Sequence, residues 1–537
     1  MTSWNFADVY EAVVEQLPGA PCQIHGDRRI TWQQFDRRAN ALAADLLDAG
    51  LGQQAKVAAY LYNGPEYLET YLAACKAALV PVNTNYRYGP EEILYLFDNA
   101  DAEAVVFHAT FTDMLDNLRD RLPKVRRWYV VSDGEPEPDW AVRYEDAIGS
   151  GADRVAAPWG RSGDDILMLY TGGTTGMPKG VMWRQDDLFN VLGGGGNALL
   201  AEPPRENLDD FRSRLTAPGL RMLPACPLMH GTGQFSAFIA MNLGGSIVTL
   251  PERRFDAGEL WQTVERESVN SVVIVGDAFA RPMLAALDEQ PGRYDLSSVM
   301  LISSSGVMWS HEVKEGLLRH LPEGAVLFDS FGSSEAVGMG ASVATSGAAP
   351  ATAKFQLGER VKVFTDDGRP VEPGSDDVGF VAIGGFLPLG YYKDLEKTAR
   401  TFREIDGIRY SVPGDYATVN PDGTLTLLGR GSVCINTGGE KVYPEEVEEV
   451  LKLHPAIDDA VCVGVPDERF GETICAMVEA APGAHVDPDD VIRHVKEKLA
   501  GYKAPRRVFA VESIGRSPAG KVDYQRMKDL ARERAGV

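Results

Sequence analysis

The chain has 537 residues, is 44% hydrophobic and 24% charged, and carries a formal net charge of −24. One hydrophobic core does not organise a chain of this length, so we expect at least two domains. The acidic balance argues against non-specific nucleic-acid binding, which needs a basic face, and no apolar run is long enough for an integral membrane span. Six cysteines without a C-x-x-C pair, and an N-terminus unlike a secretion signal, predict a cytoplasmic protein with reduced thiols.

The first predicted elements alternate between helix and strand. Thr31 and Gln34 have the spacing of a capping box, and the apolar residues that follow at helical spacing end near Gly50. Further apolar segments predict strands at 56–61, 80–83, 104–107 and 128–131, with a helix over 66–78. The alternation returns as strands at 245–250, 271–275 and 300–303 around a helix at 258–267. This pattern predicts a layered α/β fold with largely parallel sheets.

A different pattern begins after residue 430. An amphipathic helix over 444–454, strands at 460–465 and 474–478, and a helix that begins at Asp487-Pro488 predict a compact α+β unit. We therefore predict a large N-terminal domain of layered α/β subdomains over residues 1–429, a glycine-containing hinge at 430–432 and a small mobile α+β domain over 433–537.

The most specific segment lies between Tyr170 and Gly180 and follows an apolar strand at 166–169. Its sequence, Tyr-Thr-Gly-Gly-Thr-Thr-Gly-Met-Pro-Lys-Gly, combines glycines, threonines and one lysine. Glycines let backbone N–H groups approach phosphate oxygens, hydroxyls donate further hydrogen bonds, and Lys179 adds positive charge. The segment is not a Walker A loop, because Pro178 and Gly180 flank the lysine where that motif has glycine and Ser or Thr. The sequence therefore predicts a phosphate-binding loop of another kind.

This segment resembles the phosphate loop of the adenylate-forming superfamily, which comprises acyl-CoA synthetases, adenylation domains of peptide synthetases and beetle luciferases. Further segments resemble that superfamily's motifs in the same order along essentially the whole chain: 227–233, 304–307, 329–335, 414–415, 429–430 with 437–448, and 517–522. The resemblance implies an enzyme that adenylates a carboxylic acid and passes the acyl group to a thiol, with ATP, Mg²⁺ and coenzyme A as its ligands.

The resemblance also implies a nucleotide site. Phosphate contacts are implied for Thr171, Gly172, Gly173, Thr174, Thr175, Gly176 and Lys179. Contacts around the adenine are implied for Ser305, Gly306, Asp329, Ser330, Phe331, Gly332 and Ser334, and contacts to the ribose for Asp415 and Arg430. Thr175 and Glu335 are the implied Mg²⁺ ligands. Phe331 stands where the family usually has tyrosine, which keeps the ring for stacking and loses the hydroxyl.

The catalytic residues implied by the resemblance are Lys521, Glu335, Thr175 and His230. Lys521 would lie between the attacking carboxylate and the α-phosphate and reduce the repulsion between two anions, a contact of about 4 kcal/mol at an effective dielectric constant near 20. In the family the small domain then turns about the hinge and replaces this lysine with a glycine loop, here Gly438-Gly439, that lines the pantetheine tunnel. Ser432 departs from the Asp or Lys that is usual at the hinge.

The acyl pocket is predicted from the same resemblance. His230, Phe235, Gly276, Asp277 and Gly306 are expected to line or approach the acyl group, and a glycine at 276 suggests room for a large one. The segments 275–281 and 429–441 resemble actinobacterial acyl-CoA synthetases, including those that activate steroid side chains. They indicate a medium- or long-chain fatty acid or a bulky alicyclic acid.

Other acceptors and other classes of protein stay open. An amine acceptor would make the chain an amide synthetase, a luciferase would share the same motifs, and a degenerate nucleotide-binding protein is the non-enzymatic alternative. Lys503, Arg506 and Arg507 are candidate contacts for a coenzyme A phosphate. The predicted partners are the acid, ATP and coenzyme A, with no nucleic acid, no integral membrane association and a homodimer as the candidate assembly.

Overall fold

The computed structural model describes residues 3–149, 151–171, 177–194, 196, 202–348, 352–437, 440–467, 470–499, 501–517 and 522–537. These residues contain 28 strands and 16 α-helices. The strands, in chain order, are β1 (Pro21–His25), β2 (Arg28–Thr31), β3 (Lys56–Tyr60), β4 (Val80–Asn83), β5 (Ala102–His108), β6 (Arg127–Val131), β7 (Val142–Arg143), β8 (Ile166–Thr171), β9 (Lys179–Arg184), β10 (Arg221–Pro224), β11 (Ser246–Thr249), β12 (Ser271–Ile274), β13 (Leu301–Ser305), β14 (Val326–Ser333), β15 (Ala336–Ala344), β16 (Lys354–Leu357), β17 (Val361–Phe364), β18 (Gly379–Gly384), β19 (Gly390–Tyr391), β20 (Phe402–Ile405), β21 (Ile408–Ser411), β22 (Asp415–Val419), β23 (Leu425–Arg430), β24 (Ile435–Thr437), β25 (Glu440–Val442), β26 (Ile457–Asp467), β27 (Gly471–Ala480) and β28 (Arg507–Val511).

The helices, in chain order, are α1 (Phe6–Gln16), α2 (Trp32–Asp48), α3 (Pro65–Lys76), α4 (Pro90–Asn99), α5 (Thr112–Leu118), α6 (Tyr144–Ile148), α7 (Gln185–Phe189), α8 (Leu208–Arg214), α9 (Gly231–Met241), α10 (Ala257–Glu267), α11 (Asp277–Glu289), α12 (His311–His320), α13 (Leu395–Thr401), α14 (Pro444–Lys452), α15 (Pro488–Lys498) and α16 (Tyr524–Ala535). α2 begins at the predicted capping box: the Thr31 hydroxyl accepts a hydrogen bond from the Gln34 backbone at 3.2 Å, and the Gln34 side chain accepts one from the Thr31 backbone at 2.9 Å.

Three sheets organise the chain. The first has 15 strands in the order β2-β1-β11-β10-β12-β13-β14-β15-β16-β23-β22-β18-β21-β20, with β17 beside β18. It is parallel from β1 to β14 and antiparallel from β14 onward. The second has eight strands in the order β19-β9-β8-β4-β3-β5-β6-β7. The third has five strands, β25-β24-β27-β26 with β28 beside β27, and forms the C-terminal unit.

One continuous hydrophobic core joins the first two sheets, since it contains side chains from both. Helix α3 is buried along its whole length, and its charged residues are paired: Lys76 with Glu11 and Asp36, both at 2.7 Å. The C-terminal unit has separate cores on the two faces of its sheet. Burial on both faces explains why the predicted strands of the large part are continuous apolar runs.

The predicted fold class is confirmed: a large multi-sheet α/β part is followed by a small α+β part. β23 ends at Arg430 within the first sheet, and β24 begins at Ile435 within the third. The hinge at 430–432 and the mobility of the small domain stay predictions. Within the described part of the chain, no helix combines the length and apolar character that crossing a membrane requires.

Candidate functional site

The predicted phosphate loop connects two paired strands. β8 ends at Thr171 and β9 begins at Lys179, and these two residues are cross-strand partners in an antiparallel pair. The loop therefore connects two strands and leads into β9. Because a strand and not a helix follows the loop, no helix dipole adds to the positive charge of Lys179. Gly172, Gly173, Thr174, Thr175 and Gly176 lie outside the described residues. The loop's anchoring and its lysine are described, and the phosphate contacts stay predictions.

Lys179 is held by an acidic residue far along the chain. Its Nζ lies 2.7 Å from Oδ2 of Asp394, and both side chains are about one-third exposed. Asp394 precedes α13 and caps it, because its Oδ1 accepts a hydrogen bond from the Lys397 backbone at 2.9 Å. The hydrogen bond from Lys179 holds the pKa of Asp394 below its ordinary value. The ion pair therefore orients the lysine side chain at the end of the loop.

Glu335 lies at the tip of a tight hairpin. β14 ends at Ser333 and β15 begins at Ala336, so Ser334 and Glu335 form the connection between them. The Trp183 indole donates to the Ser334 carbonyl at 2.9 Å, and the Tyr391 hydroxyl donates to Oε1 of Glu335 at 2.7 Å. One oriented carboxylate suits Mg²⁺, which is usually bound by one or two carboxylates together with substrate phosphates.

The start of α9 joins the predicted subsites. A Cβ on Gly231 would lie 3.3 Å from the Ser334 hydroxyl, 3.4 Å from Leu169 and 3.7 Å from the Phe235 ring. The hairpin tip, strand β8 and the predicted acyl residue Phe235 therefore meet at one glycine. His230 precedes this glycine as the N-terminal flanking residue of α9.

The turn after β13 contacts the same helix. The Thr232 hydroxyl donates to the Ser305 carbonyl at 3.5 Å, and a Cβ on Gly306 would lie 3.6 Å from the Thr232 hydroxyl. Gly306 has a φ of +91°, which glycine adopts without strain. The predicted adenine turn and the predicted acyl segment are therefore neighbours, as a shared adenylate site requires.

The residues before the Glu335 hairpin are packed inward. Oδ2 of Asp329 lies 2.8 Å from Nζ of Lys314, both side chains are buried, and burial raises the pKa of Asp329. Phe331 is 7% exposed and packs against Phe355 with ring centroids 5.6 Å apart. Ser330 and Gly332 lie on the same strand. The structure pairs Asp329 within the fold, and stacking of Phe331 on adenine stays a prediction.

Asp415 and Arg430 are brought together across two strands. They are cross-strand partners of β22 and β23, and the Asp415 side chain is buried. The side chain of Arg430 lies outside the described part. The Gly431 backbone donates to the Gly414 carbonyl at 3.0 Å, so the predicted hinge begins directly beside the predicted ribose contact.

A sequence profile of the family described as AMP-binding enzyme matches residues 10–392, and the profile of the AMP-binding enzyme C-terminal domain matches residues 446–521. The chain belongs to the AMP-binding enzyme family. It is 44% identical to the 3-oxocholest-4-en-26-oate–CoA ligase of Rhodococcus rhodochrous, over 98% of this chain and 95% of that protein. It is 42% identical to the medium/long-chain-fatty-acid–CoA/3-oxocholest-4-en-26-oate–CoA ligase of Mycobacterium tuberculosis, over 99% of this chain and 96% of that one.

Solved structures of other proteins share the fold. The anthranilate CoA ligase AuaEII in complex with anthranoyl-AMP matches with a TM-score of 0.85 at 21% identity, covering 100% of this chain and 99% of that one. The amide bond synthetase McbA from Marinactinospora thermotolerans matches with a TM-score of 0.77 at 24% identity, covering 98% and 99%. The predicted superfamily and the predicted class of acyl-CoA ligase are confirmed by the family and the curated relatives.

The structure corrects the reason given for Gly276 in this AMP-binding enzyme. Gly276 has a φ of +53°, and a Cβ there would overlap the carbonyl oxygens of Val307 and Met308. Its backbone N–H donates to the Ser304 hydroxyl at 2.8 Å. The glycine is therefore required by the close approach of two backbone segments, since backbone fills the space that its side chain would occupy. The place of Gly276 beside the acyl group stays a prediction.

Asp277 holds the same neighbouring segment. Its Oδ1 accepts a hydrogen bond from the Ser310 backbone at 2.9 Å, and its Oδ2 lies 3.2 Å from Nε of Arg281. Its backbone N–H donates to the Met308 carbonyl at 3.0 Å. These contacts support a structural role for Asp277. Its place near the acyl group stays a prediction.

Three C-terminal residues of the predicted site, Gly438, Gly439 and Lys521, lie outside the described residues. Two of the candidate coenzyme A contacts have partners. Nζ of Lys503 lies 2.5 Å from Oε2 of Glu446, and Cζ of Arg506 lies 3.9 Å from the centroid of the Phe470 ring. Both cations already have partners within the small domain, so a phosphate would compete with them.

Sequence reasoning missed Trp183, Tyr391 and Asp394. The pattern Asp394-Leu-Glu-Lys397 indicates the start of a helix, and that capping role is what the structure shows. Nothing in the pattern identifies the partner of Asp394, because Lys179 lies 215 residues earlier in the chain.

Proposed function

We propose that this protein adenylates a bulky hydrophobic carboxylic acid with ATP·Mg²⁺ and transfers the acyl group to coenzyme A. The observation that supports this most directly is the common support of Lys179 and Glu335. The cation on β9 and the carboxylate in the turn between β14 and β15 are both held by the segment 391–394, and that turn lies beside the helix that carries Phe235. Adenylation of a carboxylate by ATP moves negative charge onto phosphate oxygens, which an oriented cation and a metal-binding carboxylate stabilise.

The first half-reaction requires two anions to meet. In this proposal Lys179 contacts the departing phosphates, Glu335 contributes a ligand to Mg²⁺, and Asp415 accepts hydrogen bonds from the ribose hydroxyls. Mg²⁺ would supply neutralising charge at the phosphate oxygens. Lys521 bridges the acid and the α-phosphate. After pyrophosphate leaves, the small domain turns and the Gly438-Gly439 loop takes the place of the lysine, so that the thiol can enter. The thiol sulfur then bonds to the acyl carbon, AMP leaves from that carbon, and the thiol proton is lost to solvent.

The acid is proposed from the relatives. Two proteins more than 40% identical to this chain are named for 3-oxocholest-4-en-26-oate, and one of them also for medium- and long-chain fatty acids. We propose the same two classes of acid for this chain. The likeness to an amide bond synthetase carries only the fold, so coenzyme A is the favoured acceptor and an amine is the alternative. A cytoplasmic location and a homodimer stay predictions.

A panel assay tests the proposed reaction. The protein is incubated with ATP·Mg²⁺ and octanoate, palmitate, benzoate or 3-oxocholest-4-en-26-oate, and pyrophosphate, AMP and acyl products are measured with coenzyme A or with a panel of amines. We expect thioester formation with the fatty acids or the steroid acid and little with benzoate. Amide formation without coenzyme A would replace the acceptor, and no adenylate with any acid would leave only nucleotide binding.

Lys521→Ala separates the two half-reactions. If Lys521 acts only in adenylation, pyrophosphate release should fall by roughly three orders of magnitude, because about 4 kcal/mol of transition-state stabilisation is lost. Thioester formation from supplied acyl-adenylate should change little. Lys528→Ala is the matched control, since that lysine lies on α16 and pairs with Glu472 at 3.0 Å. Equal loss in both steps would contradict the exchange of the lysine for the glycine loop.

A further inference from the structure

The segment Gly390–Thr398 enters the second sheet beside the phosphate loop. β19 pairs with β9, so that Gly390 is opposite Met182 and Tyr391 is opposite Val181. The Tyr392 backbone donates to the Gly180 carbonyl at 2.8 Å, one residue from Lys179. The segment therefore adds a strand to the sheet next to β9, the strand that follows the loop, although the segment lies about 200 residues later in the chain.

Two side chains of this segment contact two different parts of the site. Asp394 holds the Lys179 ammonium at 2.7 Å, and the Tyr391 hydroxyl donates to Glu335 at 2.7 Å. Lys179 belongs to the predicted phosphate loop. Glu335 is the candidate Mg²⁺ ligand at the tip of the β14–β15 hairpin. One short segment thus connects the groups that would hold the phosphates and the metal.

The segment is itself fixed at several points. The Thr398 hydroxyl accepts a hydrogen bond from the Tyr391 backbone at 2.9 Å and donates to the Asp394 carbonyl at 2.7 Å. The Tyr392 hydroxyl donates to Asp101 at 2.7 Å. Gly390 has a φ of +149°, and a Cβ there would overlap Thr398. The geometry of Tyr391 and Asp394 is therefore set by the fold before any ligand binds.

The two oxygens of Asp394 have separate tasks. Oδ1 caps α13 through the Lys397 backbone, which fixes the carboxylate, and Oδ2 holds Lys179. An ammonium group has three donors, so a lysine oriented by one carboxylate oxygen keeps two donors for phosphate. Without such a partner, a lysine side chain loses rotamer entropy when it is ordered by its ligand.

We infer that Asp394 and Tyr391 are positioning residues, which orient Lys179 for the ATP phosphates and Glu335 for Mg²⁺. The inference rests on the proposed function, because it assumes that Lys179 and Glu335 contact those ligands. It adds residues that act through others: Asp394 sets the affinity for ATP, and Tyr391 sets the dependence on magnesium.

Asp394→Asn tests the first half. Asparagine caps a helix about as well as aspartate, so the variant keeps the cap and loses the charge. We expect the KM for ATP to rise about tenfold, which corresponds to the loss of one charged hydrogen bond, while the KM for the acid and the melting temperature stay unchanged. Asp422→Asn is the matched control, because Asp422 also pairs with a lysine, Lys354 at 2.8 Å, on another part of the surface.

A double-mutant cycle with Lys179→Met separates positioning from structure. If Asp394 acts through Lys179, Asp394→Asn should have no further effect on the KM for ATP in the Lys179→Met background. If Asp394→Asn raises the KM for ATP equally in both backgrounds, or in neither, the inference is overturned. In that case a loss of adenylation in Lys179→Met still leaves the proposed function standing. Full adenylation by Lys179→Met would instead overturn the role of that lysine and the inference together.

Tyr391→Phe tests the second half. Phenylalanine keeps the packed ring and removes the hydrogen bond to Glu335, so the Mg²⁺ concentration at half-maximal adenylation should rise severalfold. Tyr392→Phe is the matched control at the adjacent position, because it removes a hydrogen bond to Asp101 and none to Glu335. A merely structural role for Tyr391 would lower the melting temperature without moving the magnesium dependence, and that result would contradict the inference.

Discussion

Two glycines beside the site have different physical reasons. At Gly231 a Cβ would lie 3.3–3.7 Å from three side chains, a tight fit that those side chains can relieve by small movements. At Gly276 it would overlap two carbonyl oxygens of the neighbouring backbone, which cannot move alone, and the residue also has a positive φ. The missing side chain of Gly231 faces the predicted acyl residue Phe235, so a change in acyl preference is expected from a substitution at Gly231.

Gly276→Ala should therefore destabilise the protein without narrowing its choice of acid. Gly324→Ala is the matched control, because Gly324 also has a positive φ, +91°, but has open space where the Cβ would be. The control should cost only the left-handed strain of about 1–2 kcal/mol, and Gly276→Ala clearly more. Thermal unfolding and the rates with octanoate and palmitate measure the two effects. A shift toward shorter acids at unchanged melting temperature would show that Gly276 borders the acyl pocket after all.

Local patterns predicted individual elements well. The capping box at Thr31 and Gln34 is present, the strand at 80–83 has the predicted bounds, and the helix that begins after Asp487 is capped by that side chain. These features depend on residues within one turn of each other, so the sequence displays them directly. The strands β3, β5 and β6 could also be predicted from their apolar runs, because both faces of their sheet are buried.

Long-range placement could not be predicted in the same way. β19 has only two residues, and no periodicity identifies a strand so short. The pairs Lys179–Asp394 and Glu335–Tyr391 depend on that strand, so no spacing in the sequence announces them. Likewise, the backbone that a side chain at position 276 would overlap lies about 30 residues later in the chain. The local sequence around Gly276 does not indicate this contact, so it suggested open space instead.

At the scale of the whole molecule, the two parts of the chain meet beside α14. A cleft there is lined from the large part by Arg281, Met308, Ser310, Glu312 and Thr352, and from the small part by Glu449, Val450, Lys452 and Leu453. Burial, together with the nearby carboxylates of Glu448, Asp277 and Glu312, raises the pKa of Glu449 to about 7 against the attraction of Lys452. This arrangement of the two parts is therefore favoured when Glu449 carries a proton.

Glu449→Gln should make the stability less dependent on pH. The unfolded carboxyl titrates near its ordinary value of 4.5 and the native one near 7, so between these values the native state binds more protons. The free energy of unfolding then falls as the pH rises through this interval, by a few kcal/mol at most, since one pKa unit corresponds to about 1.4 kcal/mol. Glutamine cannot ionise and should remove that slope, whereas Glu323→Gln, at an exposed position, should keep it. Denaturant unfolding at several values between about pH 5 and about pH 8 measures the difference, and parallel curves for the two variants would place the Glu449 carboxylate in water, away from the cleft.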